Sequence, residues 1–233
     1  MKLGLITAMH RRPALSALWA EHTAQFGLPV FAAITEGDTA NVLTAQRFGF
    51  TYREMPNEPV GDKFQAALDM AMEAGCHAFM VLPSDDFISR EWLDKATANQ
   101  LDYIIPERIA IHSPVSGTYA LRADGKSCGR YGAGRVISRK VVEVCGGLVW
   151  VQHRNKSLDS ESHGRILAAG FKCVPVRTKS IPLVDVKTGE NIWPWRVFRG
   201  SGHKCSADQA LHMLSSSMRE QLRSIPSAHP QPV

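Results

Sequence analysis

The sequence predicts an α/β fold built on a largely parallel sheet, and three observations carry this prediction. Strand-type and helix-type segments alternate through the first hundred residues. Glycine and proline separate these segments at regular intervals. The chain has 233 residues and is 44% hydrophobic, so it can bury a sizeable core. Such alternation is typical of βαβ units, which bind ligands beyond the carboxyl ends of their strands.

The elements of the first hundred residues are predicted from turn residues and apolar runs. Pro13 suits the first turn of a helix, where its missing N–H would be unpaired anyway. Asp62 and Gln65 have the spacing of a capping box, which predicts that a helix begins there. The predicted strands are Leu3–Ala8, Val30–Ile34, Thr51–Arg53 and His77–Leu82, and the predicted helices are Ala14–Phe26, Asn41–Phe48, Asp62 to Gly75 and one from Ser89.

The pattern changes after Leu101, where strand-type segments follow one another. A segment with four glycines, Asp124–Gly134, is typical of a mobile loop. We find no repeat and no linker, so we expect one domain over residues 1–223 with a flexible tail at 224–233. The predicted strands here are Tyr103–Ile111, Thr118–Arg122, Cys173–Val176 and Ile181–Val186, and the predicted helices are Val136–Val144, Asp159–Ala169 and Ala207–Arg223.

Composition excludes several classes of protein. No apolar stretch approaches the roughly 18 residues of a transmembrane helix, so we expect no membrane partner. The first residues run straight into a strand, which leaves no room for a cleavable signal peptide. The five cysteines are scattered and form no C-x-x-C pair, which disfavours a disulfide framework and a zinc ribbon. We therefore expect a cytoplasmic protein.

The net charge of +5 is unevenly distributed along the chain. Residues 1–116 carry 9 Lys and Arg against 14 Asp and Glu, whereas residues 117–233 carry 18 against 8. The balances are therefore −5 and +10. A basic half favours phosphate groups, on a small ligand or on a nucleic acid. A merely solvated basic surface would give the same composition.

The strongest local signal is Ser84-Asp85-Asp86, which follows an apolar strand. Adjacent carboxylates are hard oxygen ligands, and they repel each other unless a cation or hydrogen-bond donors compensate them. One interpretation is a divalent metal that in turn holds a pyrophosphate. The other is a solvated turn, since Asp is common there and Ser89 caps a helix nearby.

The residues around this motif resemble the donor half of family 2 glycosyltransferases, phage-type members included. The similarity covers Pro59–Leu68, the helix that follows, and His77–Ser89. It implies the family's GT-A fold, an α/β nucleotide-binding mixed sheet flanked by helices. Residues 1–100 would form the nucleotide-sugar-binding half and residues 101–223 a smaller acceptor-side half.

The resemblance also implies a cofactor and donor-site residues. The cofactor would be Mn²⁺ or Mg²⁺, and the donor a nucleotide diphosphate-sugar. Asp86 would coordinate the metal and Asp85 would contact ribose or metal, although Ser84 departs from the D-x-D-type pattern. The ends of the first two strands would contact the nucleoside through Thr7 and through Glu36 or Asp38. Lys63 would meet phosphate charge, and an exposed first-turn lysine is the equally weighted alternative.

A second segment, Leu158–Arg165, is similar to the E-D-x-D-x-x-x-R segment of the same family. This register implies that Asp159 is the catalytic base, with Glu161 and Arg165 in supporting positions. Leu158 stands where the family has Glu. Chemically the assignment is reasonable, because attack by an acceptor hydroxyl needs a carboxylate that takes its proton. The alternative is that Asp159 caps the helix it begins.

The late loops supply further candidates by resemblance. His203 would be a metal ligand, and Lys204 would contact phosphate, with Lys187 and Arg196 as weaker phosphate candidates. Trp193 would stack on a sugar or base on the acceptor side, although core packing is the commoner use of tryptophan. Arg135 is the acceptor-side candidate in the segment that precedes the next helix.

The resulting hypothesis is a metal-dependent glycosyltransferase of the hexosyl or pentosyl class. A sugar-phosphate nucleotidyltransferase is the first alternative, and the absence of a glycine-rich loop after the first strand disfavours it. A non-catalytic basic nucleic-acid-binding protein is the second, and the chain has no recognition motif for it. The basic half suggests an acceptor hydroxyl on modified DNA, such as a hydroxymethylated base, contacted by Arg130, Arg135 and Arg139.

Overall fold

Strand and helix alternate along the first part of the chain, and strands predominate after it. The computed structural model describes residues 1–114, 117–122, 131–150, 153–188 and 203–225. In chain order the elements are β1 (Leu3–Met9), α1 (Pro13–Ala24), β2 (Val30–Thr35), α2 (Thr39–Arg47), β3 (Thr51–Met55), α3 (Val60–Glu73), β4 (Ala78–Val81), β5 (Asp86–Ile88), α4 (Arg90–Ala98), β6 (Tyr103–Pro106), β7 (Arg108–Ser113), β8 (Gly117–Arg122), β9 (Val136–Ser138), α5 (Arg139–Val144), α6 (Leu158–Ala168), β10 (Val174–Val176), β11 (Leu183–Val186), β12 (His203–Lys204), α7 (Ala207–Ala210) and α8 (Ser216–Ser224).

The larger of two mixed sheets has seven strands in the order β10-β6-β9-β4-β1-β2-β3. β1 pairs in parallel with β2 and β4, and β2 pairs in parallel with β3. β9 is antiparallel to both of its neighbours. Both faces of β1 are covered, which is why its sequence is a continuous apolar run rather than an alternating one. The parallel strands bring their carboxyl ends to one edge of the sheet.

The smaller sheet has five strands in the order β12-β8-β7-β11-β5. β5 follows β4 after only four residues, so the chain passes from the larger sheet to the smaller one at the acidic motif. One hydrophobic cluster contains residues of both sheets together with α1 and α4, and a second cluster packs α3, α5 and α6 on the other face of the larger sheet. The junction of the two sheets therefore positions Asp85 and Asp86.

The predicted capping box at α3 is wrong. The helix begins at Val60, with Pro59 at the N-cap position and no side-chain cap. Asp62 Oδ1 instead accepts a hydrogen bond from the backbone N–H of His153 at 3.0 Å. Gln65 Oε1 accepts from the backbone N–H of Val149 at 3.1 Å. Both side chains form hydrogen bonds with segments distant in the sequence, and they are therefore not available to cap the helix.

Two other predictions need correction. Residues Val136–Ser138 form strand β9 rather than the start of a helix, because they pair with β4 and β6, and the helix begins at Arg139. The predicted helix Ala207–Arg223 is two helices, since Ser215 caps a new one. Residues 123–130 and 226–233, which include most of the glycine-rich loop and the tail, lie outside the described residues.

No helix within the described parts of the chain has both the length and the apolar character needed to cross a membrane.

Candidate active site

Lys63 connects the carboxyl ends of β1 and β2. Its side chain is only 1% exposed. Nζ donates to the backbone carbonyl of Met9 at 2.7 Å and to Thr35 Oγ1 at 2.8 Å. Burial lowers the pKa of Lys63 to about 8, and the negative charge of Asp38 partly opposes this shift. The expectation of an exposed first-turn lysine is therefore wrong.

The turn between β1 and α1 has unusual backbone geometry. Arg11 and Arg12 have φ values of 52° and 51°, in the left-handed region that glycine adopts without strain. Two side chains hold the turn: Asp38 Oδ2 accepts from the backbone N–H of Arg11 at 2.6 Å, and Asn41 Nδ2 donates to the Arg11 carbonyl at 2.9 Å. Asp38 also caps α2 by accepting from the Asn41 N–H. The turn thereby directs Arg12 towards Asp85.

The acidic motif is buried rather than solvated. Arg12 Nη1 lies 2.9 Å from Asp85 Oδ2. Asp185 of β11 pairs with Asp86 of β5 in the antiparallel register, and Lys187 Nζ lies 2.6 Å from Asp185 Oδ2. The interpretation of Ser84-Asp85-Asp86 as a solvated turn is wrong, because Asp86 is 2% exposed.

The pKa values of the three carboxyls diverge because their partners differ. Burial alone would raise the pKa of Asp85, but Arg12 and Lys187 outweigh it and the pKa is lowered. Burial and the charges of Asp185 and Asp85 raise the pKa of Asp86 well above its usual range. Burial, with a contribution from Asp85, raises the pKa of Asp185 to about 6. Neighbouring carboxyls with such different environments are typical of functional sites.

Two carboxylate oxygens in this cluster lack hydrogen-bond partners among the described residues. They are Asp86 Oδ1 and Asp185 Oδ1. A buried acceptor without a partner costs about 1–3 kcal/mol, so a ligand that satisfies both oxygens would stabilise the site. Within the described residues, however, no group of three or more His, Cys, Asp or Glu side chains is arranged to hold a metal.

Asp159 lies in the first turn of α6 and faces the same cluster. Ser157 occupies the N-cap position without a side-chain cap, so the expectation that Asp159 caps the helix is wrong. Its carboxylate accepts from the backbone N–H of Gly132. Burial raises the pKa of Asp159, opposed mainly by the positive charge of Arg135. The charge of Asp159 in turn helps to raise the pKa of Asp86, which places the two predicted residues in one electrostatic cluster.

Arg135 is not a surface residue, contrary to the prediction that it contacts the acceptor or DNA. It is 1% exposed, and its guanidinium donates to Ser162 Oγ at 2.5 Å and to the carbonyl of Asp159 at 3.1 Å. Arg139 donates to the carbonyls of Met72 and Cys76 at 3.0–3.2 Å. Both arginines make internal contacts, so neither is a suitable probe of an acceptor-binding surface.

Of the late-loop candidates, Lys187 lies in the acidic cluster beside Asp185, whereas His203 and Lys204 do not reach it. His203 and Lys204 lie on β12, at the opposite edge of the small sheet from β5 and Asp86. Four strand spacings separate the two edges, roughly 19 Å in a flat sheet. Trp193 and Arg196 lie outside the described residues.

Three further candidates have other environments. Thr7 is fully buried inside β1, in register with Ala32, so its side chain does not reach the edge of the sheet. Glu36 is exposed in the turn after β2. Glu161 forms an ion pair with Arg154 at the start of α6.

Two residues of the cluster, Arg12 and Asp185, are not among those that the sequence motifs predict. Asp185 lies two residues before Lys187 in a strand whose pairing with β5 is not visible in the sequence. Arg12 reads as an ordinary helix-preceding arginine until the left-handed turn is known. An aspartate within an otherwise apolar strand is the local signal that could have pointed to Asp185.

Comparisons with known proteins add evidence on the fold. No family model and no curated protein matches the sequence. Among solved structures, the chain is similar to the inositol-1-phosphate CTP transferase from T. maritima, with 10% identity, a TM-score of 0.51 and coverage of 97% of this chain and 96% of that one. It is similar to a 4-diphosphocytidyl-2C-methyl-D-erythritol synthase at 10% identity and a TM-score of 0.52, over 78% of this chain and 90% of that one.

A third similar structure is S. aureus TarS, with 12% identity and a TM-score of 0.59. The match covers 95% of this chain but 42% of TarS, so the chain spans less than half the length of that protein. At these identities the similarity shows the fold alone, and it does not single out family 2 or a phage-type enzyme. The predicted fold class is confirmed: the chain has a GT-A-like and nucleotidyltransferase-like mixed sheet flanked by helices.

Proposed function

We propose that this protein is a metal-dependent glycosyltransferase that moves a sugar from a nucleotide diphosphate-sugar to an acceptor hydroxyl. The observation that carries the proposal is the placement of Asp159. Its carboxylate is held by Gly132 and interacts electrostatically with Asp86, near the edge where such sheets bind ligands. Transfer to a hydroxyl requires a base at this location.

The chemistry of the nucleophile distinguishes the two enzyme classes. A hydroxyl must lose its proton while it attacks the anomeric carbon, so a glycosyltransferase benefits from a positioned carboxylate. In nucleotidyl transfer to a sugar phosphate, the attacking phosphate oxygen is already ionised and needs no base. Asp159 suits the first reaction, because a backbone N–H orients its carboxylate and the positive charge of Arg135 partly offsets the effect of burial on its pKa.

A divalent cation is part of the proposal, and Asp86 and Asp185 fit it. Each has one buried carboxylate oxygen without a partner among the described residues, and the two residues pair across β5 and β11. Hard oxygen ligands of this kind are what Mn²⁺ and Mg²⁺ prefer. We therefore assign Asp185, rather than His203, as the partner of Asp86. When bound, the cation would offset the negative charge of the leaving nucleoside diphosphate.

The remaining basic groups have separate parts in the proposal. Arg12 and Lys187 lie beside the carboxylates and would approach the donor's phosphates. Lys63, which joins the ends of β1 and β2, would hold the nucleoside side of the site in shape.

A sugar-phosphate nucleotidyltransferase is the second candidate, and the turn after β1 favours it. In the sequence, the missing glycine-rich loop disfavours this class. Arg11 and Arg12 nevertheless adopt the left-handed backbone that glycine usually provides, so the turn can take that shape without glycine. The arginine that it presents is suited to a triphosphate.

One variant separates the two candidates. The protein is incubated with Mn²⁺ and a panel of nucleotide sugars while released nucleoside diphosphate is measured, and in parallel with CTP or UTP and sugar phosphates while pyrophosphate is measured. We expect nucleoside diphosphate release that D159N lowers by at least about 100-fold. D86N should abolish it, and D94N, an exposed aspartate on α4, should leave it unchanged.

The opposite result has a clear meaning. Pyrophosphate release that D159N leaves intact would identify a nucleotidyltransferase instead. A further outcome is that the protein turns over none of the donors, while D86N binds metal and nucleotide as well as the wild type does. These two results together would exclude both enzyme proposals and leave a non-catalytic binding protein.

The acceptor is proposed from charge. The balance of +10 over residues 117–233 exceeds what a pyrophosphate and a metal require, which favours a polyanionic acceptor. A hydroxyl on a modified DNA base is such an acceptor, and it would have to be flipped out of the duplex to reach a recessed site.

A further inference from the structure

Arg135 is a buried cation without an ion pair among the described residues. It is 1% exposed, and its hydrogen-bond acceptors are neutral: Ser162 Oγ and the carbonyl of Asp159. Its guanidinium carbon lies 5.6 Å from the centre of the Tyr103 ring, and Nε has no partner within the described part of the chain. Burying a charge in this way is costly. A neutral side chain would fill the space at lower cost, so packing alone does not explain why a charged residue stands at position 135.

The contacts of Arg135 converge on one residue. One guanidinium nitrogen donates to the Asp159 carbonyl, and the other donates to Ser162 Oγ, which itself donates to the same carbonyl at 3.1 Å. The first turn of α6 is thus held from two directions. Because no side chain caps this helix, these bonds replace the cap as the restraint on its first turn.

The same short segment also holds the carboxylate. Gly132 donates its N–H to Asp159, and a Cβ on Gly132 would lie 1.9 Å from Asp159 Oδ1. The carbonyl of Gly132 accepts from the N–H of Arg135 at 3.1 Å, which closes a turn. That turn is anchored on β4, since Val81 exchanges backbone hydrogen bonds with Gly134 and Arg135 at 2.8 Å. The turn 132–135 therefore ties Asp159 to the strand that leads into Asp85 and Asp86.

We propose that Arg135 is a positioning residue for Asp159: its guanidinium holds the turn that carries the carboxylate and supplies the positive charge that the carboxylate faces. This inference rests on the proposed role of Asp159 as the base. Arg135 touches no reacting group itself, and it acts by keeping the carboxylate in place between β4 and α6.

Two variants of Arg135 separate charge from geometry. R135K keeps the positive charge but loses the two-pronged contact, and R135Q loses the charge but keeps a hydrogen-bond donor. R139K is the matched control, because Arg139 also donates to backbone carbonyls but contacts α3 and the loop after it rather than α6. It should cost stability without affecting Asp159.

The first measurement needs no substrate. The carboxyl carbon of Asp159 is followed by ¹³C NMR as a function of pH in aspartate-labelled protein, with D159N used for assignment. We expect R135Q to move the titration midpoint upwards, because the largest opposing positive charge is gone, while R139K keeps the wild-type midpoint. A midpoint that is the same in wild type and in R135Q overturns the proposal, whether or not any turnover is found.

The second measurement uses the turnover assay described above. We expect R135K to lower kcat about 100-fold, the order of loss that a displacement of about 1 Å produces, with the KM for the nucleotide sugar within threefold of wild type. If D159N abolishes turnover but R135K keeps the wild-type rate, the positioning role of Arg135 is overturned and the proposed function stands. If no nucleotide sugar is turned over, the proposed function fails, and the NMR midpoint alone decides the link between Arg135 and Asp159.

Discussion

At the scale of single residues, the candidate site is a set of buried charged groups, and the pKa of each depends on burial and on the charges next to it. Arg12 and Lys187 lower the pKa of Asp85, whereas burial and other carboxylates raise the pKa of Asp86. Lys187 only partly opposes the effect of burial on Asp185, whose pKa is also raised. The pKa values of adjacent residues therefore move in opposite directions. Two predictions belong to this scale: one concerns a buried histidine outside the site, and the other concerns the close contact that holds the proposed base within it.

The first prediction concerns His112, which is 6% exposed and hydrogen-bonded through Nδ1 to Thr118 Oγ1. Burial lowers the pKa of His112 to about 4, from about 6.5 in an unfolded chain. Between these two values the unfolded state binds a proton that the folded state does not, so the free energy of unfolding falls as pH decreases from 6.5 to 4. The slope from this group is at most about 1.4 kcal/mol per pH unit.

Urea denaturation at pH 7.5, 6 and 5 measures this effect. H112N keeps a group that can bond to Thr118 and should remove this part of the pH dependence. H212N, at an exposed histidine, is the control. A variant H112N with the same acid sensitivity as wild type would contradict the assignment.

The second prediction concerns Gly132. Substitution by alanine places a methyl group 1.9 Å from Asp159 Oδ1, so the carboxylate has to move. We expect G132A to lower the turnover that depends on Asp159 by about 100-fold. G164A is the matched control on α6, because a Cβ there meets nothing within 4 Å. It should stabilise the protein by up to about 1 kcal/mol through helix propensity and leave turnover unchanged.

At the scale of elements, α3 is connected to the segment after α5 by one buried side chain. Gln65 Oε1 accepts from the N–H groups of Val149 and Trp150, and Nε2 donates to the carbonyl of Gly147 at 2.8 Å. This side chain therefore satisfies three backbone groups of a segment that has no regular structure. The sequence suggested a capping role for Gln65, because the local spacing fits one.

The third prediction follows from this connection. Q65L should lower the free energy of unfolding by about 2–3 kcal/mol, since it leaves buried backbone groups without partners. Q46L is the control, because Gln46 is exposed and bonds to Tyr52 OH on the surface. Equal stabilities of the two variants in urea denaturation would show that water satisfies the segment in place of Gln65.

At the scale of the whole molecule, the charge division between the two halves is the feature that bears on the acceptor. The second half contributes +10 and the first −5, so we expect a polyanion to bind through exposed basic residues of the second half. Exposed lysines of the second half, such as Lys156 and Lys172, are better probes of this binding than the buried Arg135.

The fourth prediction is that DNA binding weakens steeply with salt, because each neutralised phosphate adds about −0.9 to the log–log slope. K156E and K172E should each flatten the slope by about this amount. K95E, an exposed lysine of the acidic half, should not. Fluorescence anisotropy with a labelled duplex measures the slope. Salt-independent binding, or none at low ionic strength, would favour a glycan or small-molecule acceptor.

The sequence by itself determined the alternation of β1, α1, β2, α2 and β3, because apolar runs and turn residues are local signals that survive folding. It also predicted Asp86 as a metal ligand and Asp159 as a base, and these two roles stay predictions. Only the tertiary structure decided that Asp185 faces Asp86, that Arg135 is buried beside Asp159, and that β12 with His203 lies across the small sheet from Asp86. The positions of Asp185 and β12 depend on strand pairing between residues distant in the sequence, and the position of Arg135 depends on contacts with a separate helix. The energy of such contacts comes from burial and register, which no local sequence pattern specifies.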